Sequence, residues 1–243
     1  MKLSIILPVF NESAHVGILL HRVLEQPILG LEKEMVIVES NSQDGSREIV
    51  MAFADRFPEQ VKLILQKEAL GKGHAVRQGL QAATGDIILI QDGDLEYDVK
   101  DYPSLLQPIL DGKAQFVLGS RHLSAGSWKI RKFKESRFAS SVLNLGGKLF
   151  HGMFNLIYRT SLTDPTTMYK VFKKSCIQNL TFDSNRFDFD FELVAKLIRS
   201  GFIPLEVPIS YVSRGFEEGK KIHVFRDPFT WVWAILKFRF CRV

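Results

Sequence analysis

The chain has 243 residues, of which 46% are hydrophobic and 24% charged, and its formal net charge is +5. A chain of this size buries a full core without disulfides or structural metals, and its composition excludes a disordered, collagen-like or disulfide-stapled protein. The two cysteines, Cys176 and Cys241, lie far apart without metal-ligand spacing, which fits a reducing compartment.

No apolar run predicts a membrane-spanning helix. The longest candidate, residues 229–236, covers about two helical turns, whereas a spanning helix needs roughly 18 apolar residues. Residues 1–10 begin like a signal peptide, but Asn11 and Glu12 follow at once and no small-residue cleavage site is present. We therefore expect a buried first strand and a cytoplasmic protein that does not cross a bilayer by itself.

In the first half of the chain, strands and helices alternate. Runs rich in Ile and Val predict buried strands at residues 3–9, 35–38, 61–65, 86–90 and 115–118. Apolar residues at helical spacing predict helices between them, at 16–24, 49–57, 76–83 and 102–109. This alternation predicts an α/β fold of βαβ units with a mainly parallel sheet and helices on both faces.

After residue 120 the alternation stops. The pattern there predicts a basic loop to Ser136, a helix over 137–158, a short strand near 168–172, a helix over 189–199, strand segments at 202–207 and 209–212, and a helix over 229–240. Positive charge is concentrated here: residues 121–160 carry eight Lys or Arg against one Glu, and 219–243 carry six against one Asp. Such basic and aromatic segments suit nucleic acid, an anionic membrane or a phosphate-bearing substrate.

Three acids, Asp92, Asp94 and Glu96, follow the fourth predicted strand and Gln91. In an extended segment, alternate residues project to the same side, where like charges repel one another unless a cation binds. Mg²⁺ and Mn²⁺ take one or two carboxylates together with diphosphate oxygens. A solvated acidic turn would show the same spacing, but ligands of doubly wound sheets bind at the carboxyl ends of strands, which favours a metal-diphosphate site.

Polar loops follow the other strands of the predicted sheet. A glycine-rich turn with Lys72 opens a helix after the third strand and could offer N–H groups and an ammonium to an anion, although its spacing fits neither a Walker A loop nor a dinucleotide fingerprint. Residues 8–12 and 39–46 follow the first two strands, and each could simply cap a helix. Four successive loops of this kind at one sheet edge together predict a nucleotide site.

The ordered set P-V-F-N-E (8–12), D-G-S (44–46), G-K-G-H-A (71–75) and Q-D-G-D-L (91–95) resembles family 2 glycosyltransferases of the GT-A fold. Among them it is most similar to the dolichol-phosphate mannose synthase and polyprenyl-phosphate glycosyltransferase group. The resemblance covers most of the chain and continues with G-S-R (119–121), T-D-P-T-T-M-Y-K (163–170) and V-P-I-S-Y (207–211). It implies a hexosyltransferase that depends on a nucleotide sugar.

The resemblance also implies roles for individual residues. Substrate binding is implied for Pro8, Phe10, Glu12, Glu39, Lys72, Gln91, Asp92, Arg121, Arg214 and Lys221. Ligation of Mg²⁺ or Mn²⁺ is implied for Asp92, Asp94 and Glu96, and catalytic roles for Asp92, Asp94, Arg121 and Asp190. The V-D-D-G-S segment usual in the family is absent, since Glu39 is followed by Ser-Asn-Ser-Gln before D-G-S, so the choice between a UDP- and a GDP-hexose stays open.

Two acceptors are compatible with the sequence. A polyprenyl phosphate is already ionised and can attack the anomeric carbon in line, with inversion and without a base. A saccharide hydroxyl, as in cell-surface polysaccharide synthesis, needs a carboxylate to accept its proton, and Asp190 lies where related enzymes carry that base. Asp188 and Asp190 could equally do no more than cap a helix.

We expect one compact domain, with a nucleotide-sugar-binding half (1–120) and an acceptor-binding half (121–243) that contains the basic loop and an amphipathic C-terminal helix. The basic segments predict peripheral contact with the cytoplasmic membrane face, or attachment through a membrane partner subunit.

Other classes of protein fit the sequence less well. A basic membrane- or nucleic-acid-binding module leaves the three acids without purpose, a nucleotidyltransferase needs an early glycine-rich loop, and a dehydrogenase needs another glycine spacing. We therefore expect no nucleic-acid partner.

Overall fold

The computed structural model describes residues 1–125, 137–213 and 227–240, with the backbone alone for 137–143 and 227–230. The strands are β1 (Lys2–Val9), β2 (Glu32–Glu39), β3 (Val61–Leu65), β4 (Ile87–Ile90), β5 (Phe116–Ser120), β6 (Lys170–Lys173) and β7 (Leu205–Pro208). The α-helices are α1 (Val16–Glu25), α2 (Ser46–Arg56), α3 (Lys72–Ala82), α4 (Tyr102–Leu110), α5 (Arg121–Ala125), α6 (Arg137–Tyr158), α7 (Asp188–Arg199) and α8 (Asp227–Phe240). Short 3₁₀ turns cover Val99–Asp101 and Lys174–Ile177.

The seven strands form one sheet in the order β3-β2-β1-β4-β6-β5-β7. The pairs β1–β2, β1–β4, β2–β3 and β5–β7 are parallel, whereas β6 runs antiparallel to both β4 and β5. This confirms the predicted mainly parallel sheet. Strands β1 to β5 therefore end at one edge of the sheet, and β6 begins there with Lys170.

The apolar strands are buried because helices cover both faces of the sheet. In β1, Leu3, Ile5 and Leu7 pack on the side that carries α1, α2 and α4, while Ile6 packs on the side of α3, α6, α7 and α8. Burial on both faces explains why these strands are continuous apolar runs rather than alternating ones.

A buried carboxylate stabilises the opposite edge, where the strands begin. Glu34 of β2 is 8% exposed and accepts hydrogen bonds from the Ser4 hydroxyl and from the Thr84 hydroxyl at 2.7 Å, while Lys2 Nζ lies 2.7 Å from it. Burial alone would raise the pKa of Glu34, but these partners lower it to about 2. The ionised carboxylate therefore joins the first two strands to the loop before β4.

The second half departs from the prediction in two places. Two strand segments were predicted after α7, at 202–207 and 209–212. In the structure Leu205–Pro208 forms a strand, whereas the second segment makes a single antiparallel bridge, from Tyr211 to Tyr97. The predicted basic loop begins with helix α5, and its remainder, residues 126–136, lies outside the described residues. In the part of the chain that the structure describes, none of the helices combines the length and apolar character needed to cross a bilayer.

Candidate active site

The carboxylate of Asp92 lies at the sheet edge where β1 to β4 end. Its Oδ1 atom is 2.5 Å from the Nζ atom of Lys72, and the Asp92 side chain keeps 20% of its surface exposed. Lys72 comes from the first turn of α3, which follows β3. The fold thus unites the acidic loop and the glycine-rich turn that the sequence analysis assigned to one nucleotide site.

The acidic loop is turned rather than extended. The Oδ1 atom of Asp94 accepts a hydrogen bond of 3.0 Å from the backbone N–H of Glu96, an Asx turn that redirects the chain. The Oε2 atom of Glu96 accepts a hydrogen bond of 3.0 Å from the Tyr211 hydroxyl. The three acids therefore do not lie in the extended segment that the sequence predicted, and their role as metal ligands stays a prediction.

Within the described ranges, one trio of possible ligands lies within 4.8 Å, and it is His122, His151 and Asp164. Asp164 is not available to a metal, because a carboxylate has about four acceptor positions and all are used. Arg121 fills three of them, with its backbone N–H at 3.1 Å, Nε at 2.6 Å and Nη2 at 2.7 Å, and Thr166 fills the fourth at 3.1 Å. We interpret this trio as part of a structural ion pair.

Arg121 occupies a different environment from the one predicted for it. Its side chain is 7% exposed and is bound to the fully buried Asp164, and its guanidinium lies 5.2 Å over the ring of Tyr211. Burial alone would raise the pKa of Asp164, but the guanidinium holds it well below its usual range. The charge expected to neutralise a phosphate is thus already compensated by Asp164 inside the fold, and the roles of Arg121 in catalysis and substrate binding stay predictions.

Gln91 is also a core residue in the structure. It is fully buried, and its Oε1 atom accepts hydrogen bonds from the hydroxyls of Tyr102 at 2.9 Å and Tyr169 at 2.8 Å. Its Nε2 atom donates to the Asp92 carbonyl at 3.0 Å. Gln91 therefore supports the backbone of Asp92, and its role in substrate binding stays a prediction.

The loops after β1 and β2 hold each other, because the backbone N–H groups of Asn11, Glu12 and Ser13 donate to the side chains of Ser42, Ser46 and Asp44. Glu39 is fully buried, and its carboxylate accepts from the backbone N–H groups of Asn41 at 3.1 Å and Ser42 at 2.6 Å and from Arg47 at 2.9 Å. Glu12 is 9% exposed, whereas Phe10 keeps 37% of its surface open. Glu39 therefore shapes its own loop.

The glycine-rich turn is packed against the segment before α7. Gly71 has a φ of +104°, which favours glycine, and a Cβ on Gly73 would come 2.6 Å from the Ser184 carbonyl oxygen. The backbone N–H of His74 donates to the Asn185 carbonyl at 3.1 Å. This N–H is thus used inside the protein, and the lysine side chain is the part of the turn that reaches the acidic loop.

Asp190 lies between two lysines. Its Oδ1 atom is 2.9 Å from Nζ of Lys170, and its Oδ2 atom is 3.6 Å from Nζ of Lys72. Burial alone would raise the pKa of Asp190, but the two ammonium groups hold it below its usual range. Lys170 was not among the predicted site residues, although a lysine within the otherwise apolar segment 168–172 was a signal for a buried ion pair.

Comparison with known proteins identifies the family. A model of glycosyl transferase family 2 matches residues 4–181. The chain belongs to this family. It is 26% identical to a dolichol-phosphate mannosyltransferase of Pyrococcus furiosus. The match extends over 220 residues, which are 90% of this chain and 59% of that protein.

A second relative is an undecaprenyl-phosphate 4-deoxy-4-formamido-L-arabinose transferase of Photorhabdus laumondii. It is 23% identical over 220 residues, which are 90% of this chain and 62% of that protein. The chain thus spans less than two thirds of the length of either relative. The resemblance to family 2 and its polyprenyl-phosphate group, inferred from the motifs, is confirmed.

Solved structures of the GT-A fold resemble the chain over its whole length. Glucosyl-3-phosphoglycerate synthase of Mycobacterium tuberculosis, in complex with Mn²⁺, UDP and phosphoglyceric acid, gives a TM-score of 0.71 over 100% of this chain and 80% of that chain, at 18% identity. A structure of the same enzyme with Mg²⁺ and UDP gives a TM-score of 0.70 at 18% identity. The predicted GT-A fold is confirmed.

The acidic loop of this family 2 chain fits a divalent cation by its donor set. Asp92 and Asp94 supply hard carboxylate oxygens at the sheet edge, and Mg²⁺ or Mn²⁺ needs only one or two such groups when a diphosphate completes the shell. Glu96 is a third carboxylate at the same loop, and its Oε2 atom is hydrogen-bonded to Tyr211. Arg214 and Lys221, predicted to bind phosphate, lie outside the described residues.

Proposed function

We propose that the chain transfers a hexose from a UDP- or GDP-sugar to a polyprenyl phosphate, with inversion, at the cytoplasmic face of a membrane. The observation that carries the proposal is the contact between Asp92 and Lys72 at the edge where β1 to β4 end. The names of the relatives support the class of acceptor, since both act on polyprenyl phosphates by name.

Residues 1–120 form the donor half in this proposal. Phe10 stacks on the base, Pro8 and Glu12 border the nucleoside, and Lys72 donates to the diphosphate. Asp92 and Asp94 would hold Mg²⁺ or Mn²⁺, which would stabilise the negative charge of the departing nucleotide diphosphate. The main barrier in such a transfer is the negative charge that develops on the diphosphate as its bond to the anomeric carbon breaks.

Residues 121–243 form the acceptor half. A phosphate oxygen is ionised at neutral pH and attacks without losing a proton, so no general base is needed. This suits Asp190, because a carboxylate held by two lysines at 2.9 and 3.6 Å, with a lowered pKa, is a weak base. A saccharide hydroxyl would need that base, so the geometry favours the lipid phosphate over the glycan.

The surface of α6 and α8 supports peripheral membrane contact. The two helices are joined by a hydrogen bond of 2.8 Å from the Tyr158 hydroxyl to the Ile235 carbonyl. Large apolar side chains remain exposed on both helices: Leu145, Leu149 and Leu156 on α6, and Val232, Trp233, Leu236 and Phe240 on α8. Because α8 also buries Ala234, Ile235 and Phe238, it is apolar on both sides rather than amphipathic, and Lys237 and Arg239 add cations near its end.

The activity is tested by measuring release of UDP or GDP from a panel of nucleotide sugars. We expect release that requires Mg²⁺ or Mn²⁺ and rises when polyprenyl phosphate is added, and that is lost in Asp94→Ala. Undiminished release by Asp94→Ala would contradict the proposed donor site. Release that needs a saccharide and collapses in Asp190→Asn would assign a hydroxyl acceptor instead.

The membrane contact is tested by flotation with vesicles of phosphatidylglycerol or phosphatidylcholine. We expect the protein to float with the anionic vesicles, and Leu149→Glu and Trp233→Glu to reduce the bound fraction several-fold. Ile18→Glu on α1 is the matched control, because Ile18 is 52% exposed and lies on a helix outside the proposed surface. An equal loss in this control, or formation of dimers instead of vesicle binding, would exclude this surface as the lipid contact.

A further inference from the structure

Four charged side chains form a chain of contacts behind the proposed donor site. Lys170 contacts Asp190 at 2.9 Å, Asp190 contacts Lys72 at 3.6 Å, and Lys72 contacts Asp92 at 2.5 Å. Lys170 is fully buried, and its ammonium also donates to the Thr167 carbonyl. The two roles predicted for Asp190, a base and a helix cap, do not account for its contacts with the two lysines.

The four side chains run from the interior of the fold to its surface. Lys170 and Asp190 are inside the fold, with side-chain exposures of 0 and 7%, while Lys72 and Asp92 are increasingly open, at 12 and 20%. The buried pair is thus anchored in β6 and α7, and Lys72 extends from it toward the sheet edge. A long flexible lysine loses less entropy on binding when a second group already restricts it.

The charges of the four groups also favour an anionic ligand. Two ammonium groups and two carboxylates balance one another, but Asp92 is also the carboxylate that the proposed function assigns to the nucleotide and its cation. When Asp92 serves the donor, Asp190 alone faces both lysines, and one positive charge is left over. That charge belongs to Lys72, the more exposed of the two lysines.

From this geometry we infer that Asp190 is a positioning residue that holds Lys72 for the β-phosphate of the donor, and that Lys170 anchors Asp190. The inference rests on the proposed function and extends it, because it names the residues that hold Lys72 in position for the leaving phosphate. It assigns Asp190 no proton transfer. Loss of Asp190 should therefore weaken diphosphate binding through Lys72.

The test compares the affinities for nucleoside diphosphate and monophosphate in the presence of Mn²⁺, by calorimetry with UDP, UMP, GDP and GMP. The ratio of the two affinities reports the contact to the β-phosphate. We expect Lys72→Met and Asp190→Asn each to lower this ratio about tenfold or more, as charge-assisted hydrogen bonds do. The double variant should lower it no further, because Asp190 acts through Lys72. Asp188→Asn, two residues earlier on α7, is the matched control and should leave the ratio unchanged.

Two other roles of Asp190, as a base or as a purely structural residue, would each give a different result in this test. A base would leave the ratio unchanged in Asp190→Asn while turnover is lost, and a purely structural residue would weaken monophosphate and diphosphate binding alike; either result overturns the inference. If Asp190→Asn does not fold because Lys170 is left uncompensated, Asp190→Asn with Lys170→Met removes both buried charges, and its ratio should fall by the same factor. Failure of the wild type to bind any nucleotide would instead refute the proposed function.

Discussion

The buried pair of Arg121 and Asp164 makes a quantitative prediction about stability. Asp164 is fully buried, Arg121 is 6% exposed, and two parallel hydrogen bonds of 2.6 and 2.7 Å join them. Removing one member leaves the other charge buried without its partner, which costs about 3–5 kcal/mol. We therefore expect Asp164→Asn to lower the free energy of unfolding by about that amount and the Tm by roughly 6–20 °C.

Urea unfolding, followed by circular dichroism, measures the effect. Asp111→Asn is the matched control, because Asp111 forms an exposed pair with Lys113 at 2.8 Å, and solvent-exposed pairs contribute little to stability. The double variant Arg121→Met with Asp164→Leu removes both charges and should be more stable than Asp164→Asn alone. A loss below about 1 kcal/mol in Asp164→Asn would refute the view that Arg121 is a structural residue here.

Three further predictions concern the sheet edge, the glycine turn and the metal. Glu34, with its pKa lowered to about 2, should add about 3 kcal/mol of stability above its unfolded pKa near 4.5, and this should disappear as the pH falls toward 2; unfolding of the wild type and Glu34→Gln from pH 6 to 2 measures it. Gly73→Ala should cost about 1–3 kcal/mol because its Cβ would meet the Ser184 carbonyl at 2.6 Å, whereas Gly146→Ala, with nothing within 4 Å, should be neutral or stabilising in the same urea titration. Mn²⁺ with UDP or GDP at about 100 times the Kd should raise stability by roughly 2.7 kcal/mol, and a thermal-shift assay should show that EDTA or Asp94→Asn removes the gain.

The fold was largely predictable because its first half consists of regular βαβ units. Buried parallel strands give continuous apolar runs and covering helices give a 3.6-residue spacing, so β1 to β5 and α1 to α4 follow from the pattern. The direction of β6 was not predictable, since a four-residue strand with a lysine at each end and two apolar residues between them looks the same in either orientation. The second segment predicted as a strand after α7 had the right alternation but pairs only through Tyr211.

The site was predictable only as a set of loops at one edge. Asp92 and Lys72 were both identified from motifs, but their contact depends on how α3 packs across β1 and β2. Arg121 in a basic segment resembles an exposed phosphate ligand, and nothing in local spacing shows that Asp164, 43 residues later, neutralises it. Ion pairs between residues distant in sequence are set by packing, which is also why the role of Lys170 was missed.

The central claim is that the acceptor is a lipid phosphate and that no carboxylate has to take up a proton. The most direct measurement is mass spectrometry of the lipid product after incubation with a nucleotide sugar, Mg²⁺ or Mn²⁺, and either polyprenyl phosphate or the corresponding polyprenol. We predict a hexosyl phosphate lipid from polyprenyl phosphate and no product from polyprenol. Glycosylation of the polyprenol or of a saccharide, with polyprenyl phosphate left unmodified, would contradict the account.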